Sequence, residues 1–147
     1  CCVFLFFNYR RKAVCFAGDV GSLSIAYWIV SVILLLIVKT GTAIWLLFLA
    51  VYGIDSVLTI LHRLYLRQNI FKAHRMHFYQ ILANECRIDH RIVSMGYALL
   101  QLVISTFTIA LWDKMNFFEL SAIILLPLTG VYLIKFRLMR EFKSVER

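Results

Sequence analysis

The chain has 147 residues, 62% of them hydrophobic, and a formal net charge of +8. Its mean hydropathy is +0.81. Soluble globular domains run at about 45–50% apolar residues, so this composition excludes an ordinary water-soluble domain and points to an integral membrane protein.

In chain order, Cys1–Phe7 is apolar but too short to span a bilayer. It lacks the charged front and small-residue cleavage site of a signal peptide. It reads as the tail of a preceding transmembrane helix, which makes this chain the expected C-terminal part of a larger membrane protein. Val20–Val38 then runs for nineteen residues without a charge, and Ile92–Trp112 for twenty-one. Ala43–Leu61 holds one charge, Asp55, and Phe117–Ile134 holds one, Glu119. A spanning helix needs about 20 mostly apolar residues, which the second and fourth segments reach with helix ends or tilt. Barrel strands would alternate apolar and polar residues, and Ile33-Leu34-Leu35-Leu36-Ile37-Val38 does not. The expected fold is therefore an all-α integral membrane protein. It has helices at about 20–38, 43–62, 92–112 and 117–136, the tail of a preceding helix, and a loop over 63–91. These form one polytopic domain, with a kink expected at Pro127 in the fourth helix.

Charge sets the expected orientation. Fourteen of the sixteen Lys and Arg residues fall before the first helix, between the second and third, or after the fourth. The other two, Lys39 and Lys114, lie in the short turns Lys39–Thr42 and Asp113–Asn116. The positive-inside rule makes the basic side cytoplasmic, with both termini on it. On the C-terminal tail this charge orients the protein and meets anionic lipid. Cys15 and Cys86 would then be reduced thiols, and the four cysteines show no zinc spacing. No nucleotide-binding glycine loop, nucleophile elbow or nucleic-acid motif is present, so no nucleic-acid partner is expected.

Three groups could carry chemistry. Asp19 sits between Gly18 and Gly21 where the chain enters its first apolar run. Ser22 could cap the helix starting near Leu23, whose free amides attract anions, and the carboxylate could bind Mg²⁺. The plainer reading is an Asp favoured by the helix dipole. Asp55, Thr59 and His62 share a helix face at i, i+4 and i+7. Ionisable groups inside a span usually mark function, although Asp55 could equally be a structural partner of Arg63 or of a backbone group. Finally, His74, Arg75, His77, Tyr79 and Gln80 crowd into seven residues. Imidazoles and a guanidinium suit a phosphate-rich ligand; the alternative is a solvated basic loop.

The stretch Asn8–Ser22, with its Phe16-Ala17-Gly18-Asp19-Val20-Gly21-Ser22 core, resembles an element of the polyprenyl-phosphate N-acetylhexosamine-1-phosphate transferases, glycosyltransferase family 4. Ile54–Arg63 is similar to that family's helix carrying an Asp and ending in Arg, and Asn69–Gln80 to its histidine loop. His77-Phe78-Tyr79-Gln80 departs from the common His-x-His-His. It resembles the variant of O-antigen-initiating enzymes rather than of peptidoglycan enzymes. Val14 stands where a basic residue is frequent. The resemblance implies transfer of an N-acetylhexosamine-1-phosphate from a UDP-sugar to polyprenyl (undecaprenyl) phosphate. The reaction would run at the cytoplasmic face of a bacterial inner membrane, with Mg²⁺ or Mn²⁺ as cofactor, in a chain able to form a homodimer. By motif position, Asp19 is a catalytic and Mg²⁺-binding carboxylate and His77 a catalytic histidine. Asn8, Gly18, Gly21, His74 and Arg75 are the expected substrate contacts. The family's paired-aspartate and Asn-x-x-Asn-x-x-Asp-Gly motifs lie upstream of these elements, so these residues alone are expected to be inactive. Competing expectations are a transporter segment, with Asp55 and the histidines as a proton path, and a scaffold whose basic loop binds lipid head groups.

Overall fold

A computed structural model describes residues 2–9, 14, 15, 17–69 and 77–145, with the side chains of Cys2 and of 136–145 outside the description. Lipid offers backbone groups no water, so long uncharged runs resolve as helices. Among the described residues all regular structure is helical. The α-helices are α1 (Cys2–Asn8), α2 (Gly18–Thr40), α3 (Ala50–Tyr65), α4 (Phe78–Asn84), α5 (His90–Leu111) and α6 (Phe117–Val145); a 3₁₀ segment, Ala43–Leu49, leads into α3. Among the described residues four stretches are long and apolar enough to cross a membrane: Gly18–Thr40, Ala43–Tyr65, His90–Leu111 and Phe117–Lys135. The described residues are thus all-helical, with the four apolar spans of a multi-pass membrane protein. Helix α6 passes through Pro127, and the 63–91 region includes the short helix α4 as well as irregular backbone.

The chain divides into two compact units, Cys1–Leu46 and Leu47–Arg147. In the first, the carbonyl of the Asn8 side chain accepts the Cys15 backbone N–H at 3.2 Å, tying the end of α1 to the approach to α2. Within helix α2, Ser24 donates to Val20 O and Thr40 to Leu36 O, both at 2.7 Å. Apolar side chains such as Leu23, Trp28 and Leu35 stand exposed along α2, a surface suited to acyl chains rather than water. The helix stops at Gly41, whose φ of +70° favours glycine and whose N–H donates to Ile37 O.

In the second unit α3, α5 and α6 pack on one another, and α4 packs on α5 and α6. Leu120, Ile104 and Ile124 are among the buried apolar side chains. One polar group organises the junction of the 3₁₀ segment with α3. In a continuous α-helix the Val51 N–H would bond to Leu47 O. Here the Gln101 amide of α5 is wedged between them: its Oε1 accepts the Val51 N–H and its Nε2 donates to Leu47 O, each at 3.0 Å. A side chain inserted in the helical ladder is a recognised cause of a break in regular winding.

Interhelical hydrogen bonds in membrane proteins contribute about 0.6 kcal/mol on average and up to about 1.7 kcal/mol. Gln101→Leu should therefore lower stability by about 1 kcal/mol. It should also alter hydrogen exchange at the Val51 amide, both measurable on detergent-solubilised protein.

Candidate functional site

Asp55 is an ionisable group on an apolar helix, and its side chain is almost fully buried, at 3% relative exposure. A carboxylate placed there needs donors, and three elements provide them. Thr59, one turn along α3, donates to Asp55 Oδ1 at 3.3 Å. Tyr132 of α6 donates to the same oxygen at 3.0 Å. The backbone N–H of Phe78, at the start of α4, donates to it at 2.9 Å. His77 Nδ1 lies 3.5 Å from that oxygen, at ion-pair distance. A counter-charge stands behind the hydroxyls. Lys135, with no exposed surface, donates its Nζ to Thr59 Oγ1 at 2.9 Å and to Tyr132 Oη at 2.5 Å. The ammonium also sits 4.7 Å from the centre of the Tyr132 ring.

The cluster seats α4. Asp55 lies ten residues before the end of α3, and its carboxylate meets the backbone at the start of α4. The Phe78 ring meets Tyr132 edge-on at 5.8 Å, His77 stacks on Tyr79 at 5.7 Å, and Tyr79 meets Tyr97 of α5 at 6.3 Å. Gln80 reaches back to accept the His77 N–H at 3.3 Å. Burial, with the Asp55 charge adding to it, pushes the Tyr79 phenol above its ordinary value. Beside α4 a cavity of about 460 Å³ is bordered by Tyr79, Asn84, His90, Ser94 and Tyr97.

The other expected site residues fall as follows. Asp19 lies exposed in the first turn of α2. Ser22 does not cap that helix: α2 begins at Gly18, and the Ser22 hydroxyl donates inward to Asp19 O at 3.1 Å. Gly18 has φ +61°, a conformation glycine adopts without strain. A Cβ at Gly21 would come within 3.2 Å of the Ala17 Cβ. Gly18 thus has a backbone reason to be glycine, and Gly21 sits tightly against the Ala17 side chain. Asn8 holds Cys15 in place. His74 and Arg75 lie outside the described residues. The Arg63 guanidinium donates to the Asn69 carbonyl oxygen.

Among the described residues no three His, Cys, Asp or Glu side chains gather as a metal-holding group. Mg²⁺ is commonly held by one or two carboxylates together with substrate phosphates. Asp19 is a single exposed carboxylate and does not by itself make such a site.

Lys135, read from sequence as part of a lipid-facing basic tail, turns inward instead. Its signal was present in Tyr132-x-x-Lys135, which puts a phenol and an ammonium on one helix face. Comparison with protein-family models, with curated proteins and with solved structures found no match for this chain.

At the edge of this region Asp89 caps α5, accepting the Arg91 N–H at 2.9 Å and the Arg91 guanidinium at 2.7 Å. The Arg91 side chain first, then its backbone N–H, hold the Asp89 carboxyl well below the usual carboxylate range. A depressed folded-state value means the contribution is complete above the unfolded pKa and is lost only as pH falls through the lower, folded one. Hydrogen-exchange protection in the first turn of α5 should therefore persist through about pH 4, where a free Asp titrates.

Proposed function

We propose that this chain is part of a membrane transferase that moves an N-acetylhexosamine-1-phosphate from a UDP-sugar to a polyprenyl phosphate. The observation that carries the reading is the meeting of Asp55 with His77 and Phe78. Two stretches that resemble separate elements of the transferase family, the Asp-bearing helix and the histidine loop, come together on one carboxylate. The multi-pass apolar helices suit an enzyme with a lipid acceptor, and the one-sided basic charge suits an anionic donor at the cytoplasmic face.

In this reading a non-bridging oxygen of the lipid phosphate attacks the β-phosphorus of the UDP-sugar. A new P–O bond joins the sugar phosphate to the lipid, the bond from the β-phosphorus to the α,β-bridging oxygen breaks, and UMP leaves with that oxygen. Bound Mg²⁺ or Mn²⁺ would neutralise diphosphate charge. Arg75 binds phosphate oxygens through its forked guanidinium. His77, held beside Asp55, donates a hydrogen bond to a phosphate oxygen as charge shifts toward UMP. Asp19 lies at the start of α2, where helix amides favour anions.

A second reading has one observation in its favour. A buried Asp and Lys inside apolar spans are also what an ion-coupled transporter uses. Proton flux through liposomes carrying the protein, abolished by Asp55→Asn, would favour it over the transferase.

Radiolabelled UDP-N-acetylhexosamine and undecaprenyl phosphate test the main proposal in the full-length protein. Asp19→Asn should abolish Mg²⁺-dependent transfer, and His77→Gln should slow it by about 10²-fold or more. Wild-type rates in both variants would refute the assignment.

A further inference from the structure

We propose that Asp55 and Lys135 form a buried charge pair, bridged by Thr59 and Tyr132, that positions His77 for its substrate. The proposal rests on the transferase reading and adds residues to it that act through His77 rather than on the substrate.

Lys135 lies at the end of an apolar stretch. A lysine near a helix end in a membrane normally extends its stem toward the polar interface. This one is fully buried and donates to two hydroxyls. Those hydroxyls in turn donate to Asp55 Oδ1. Hydrogen bonds run in one direction from ammonium to carboxylate, an arrangement in which each bond polarises the next. A buried pair of this kind is weak evidence for stability, because desolvation offsets the attraction, but it can define a geometry.

What it defines here is the start of α4. That helix has seven residues, and isolated helices shorter than about 12–15 residues are marginal in water. Its position therefore depends on what grips it. Asp55 accepts the Phe78 N–H and lies at ion-pair distance from His77 Nδ1. Tyr132, in the same chain of bonds, packs against the Phe78 ring. Lys135, through Thr59 and Tyr132, aims the Asp55 carboxylate; Asp55 grips the Phe78 N–H at the start of α4; His77 stands immediately before it.

The test uses the full-length protein in lipid nanodiscs, comparing wild type with Asp55→Asn, Lys135→Met and the double variant. The double variant removes both charges together and so avoids an unpaired buried ion. Its folding is checked by circular dichroism and gel filtration. Transfer kinetics should show kcat down by about tenfold or more, as expected for a misplaced group, with KM for the UDP-sugar changed much less. ¹⁵N spectra of histidine-labelled protein, assigned with His77→Gln, should show the His77 ring signals shifted in the double variant, because the ring loses its contact with the Asp55 carboxylate. A folded double variant with wild-type kcat and an unchanged His77 spectrum would overturn the proposal. If wild type transfers no sugar phosphate, the transferase reading fails and the spectrum decides alone: a shifted His77 supports positioning, and an unshifted one refutes it.

Discussion

A carboxylate in the middle of an apolar helix is the constraint around which the second unit is built. Asp55 cannot be left in hydrocarbon as an isolated charge, because the cost of removing an ion from water runs to several kcal/mol even after relaxation. The fold meets that cost with donors from α3, α4 and α6 and with a buried ammonium on α6. Each donor comes from a different part of the chain. Satisfying one side chain therefore brings three elements to one place.

The consequence reaches the histidine loop. Helix α4 is too short to fix itself, and it starts where its first N–H meets Asp55. His77, the residue just before that helix, inherits the position. In the proposed transferase this is how a residue expected to contact a phosphate is tied to the membrane-embedded bundle. The exposed Asp19 has no such support among the described residues of its own unit.

The helical, membrane-spanning character was legible because the signal is simple: charge-free runs such as Val20–Val38 have one stable solution in lipid. The conspicuous polar residue Asp55 was also visible, since a charge in such a run stands out. Thr59, one turn along the same face, was visible with it; the partners on other elements were not. His77 is 22 residues away and Lys135 80 residues away, and no local periodicity encodes which helix faces which. Lys135 was hidden among the basic residues that follow the fourth span, where orientation and lipid contact explain a lysine well enough. Gln101 gave no signal because a single amide in an apolar run carries no charge and follows no pattern; only the facing backbone reveals its use. Ser22 misled for a related reason: a serine ahead of an apolar run looks like a cap, but α2 starts four residues earlier, at Gly18.

The central claim is that Asp55 and Lys135 are present for each other. A double-mutant cycle of unfolding free energies with Asp55→Asn and Lys135→Met tests it most directly. Removing one partner of a buried pair leaves an uncompensated charge and costs about 3–5 kcal/mol. Lys135→Met should carry a cost of that order in wild type and much less in the Asp55→Asn background. An equal cost in both backgrounds would contradict the account.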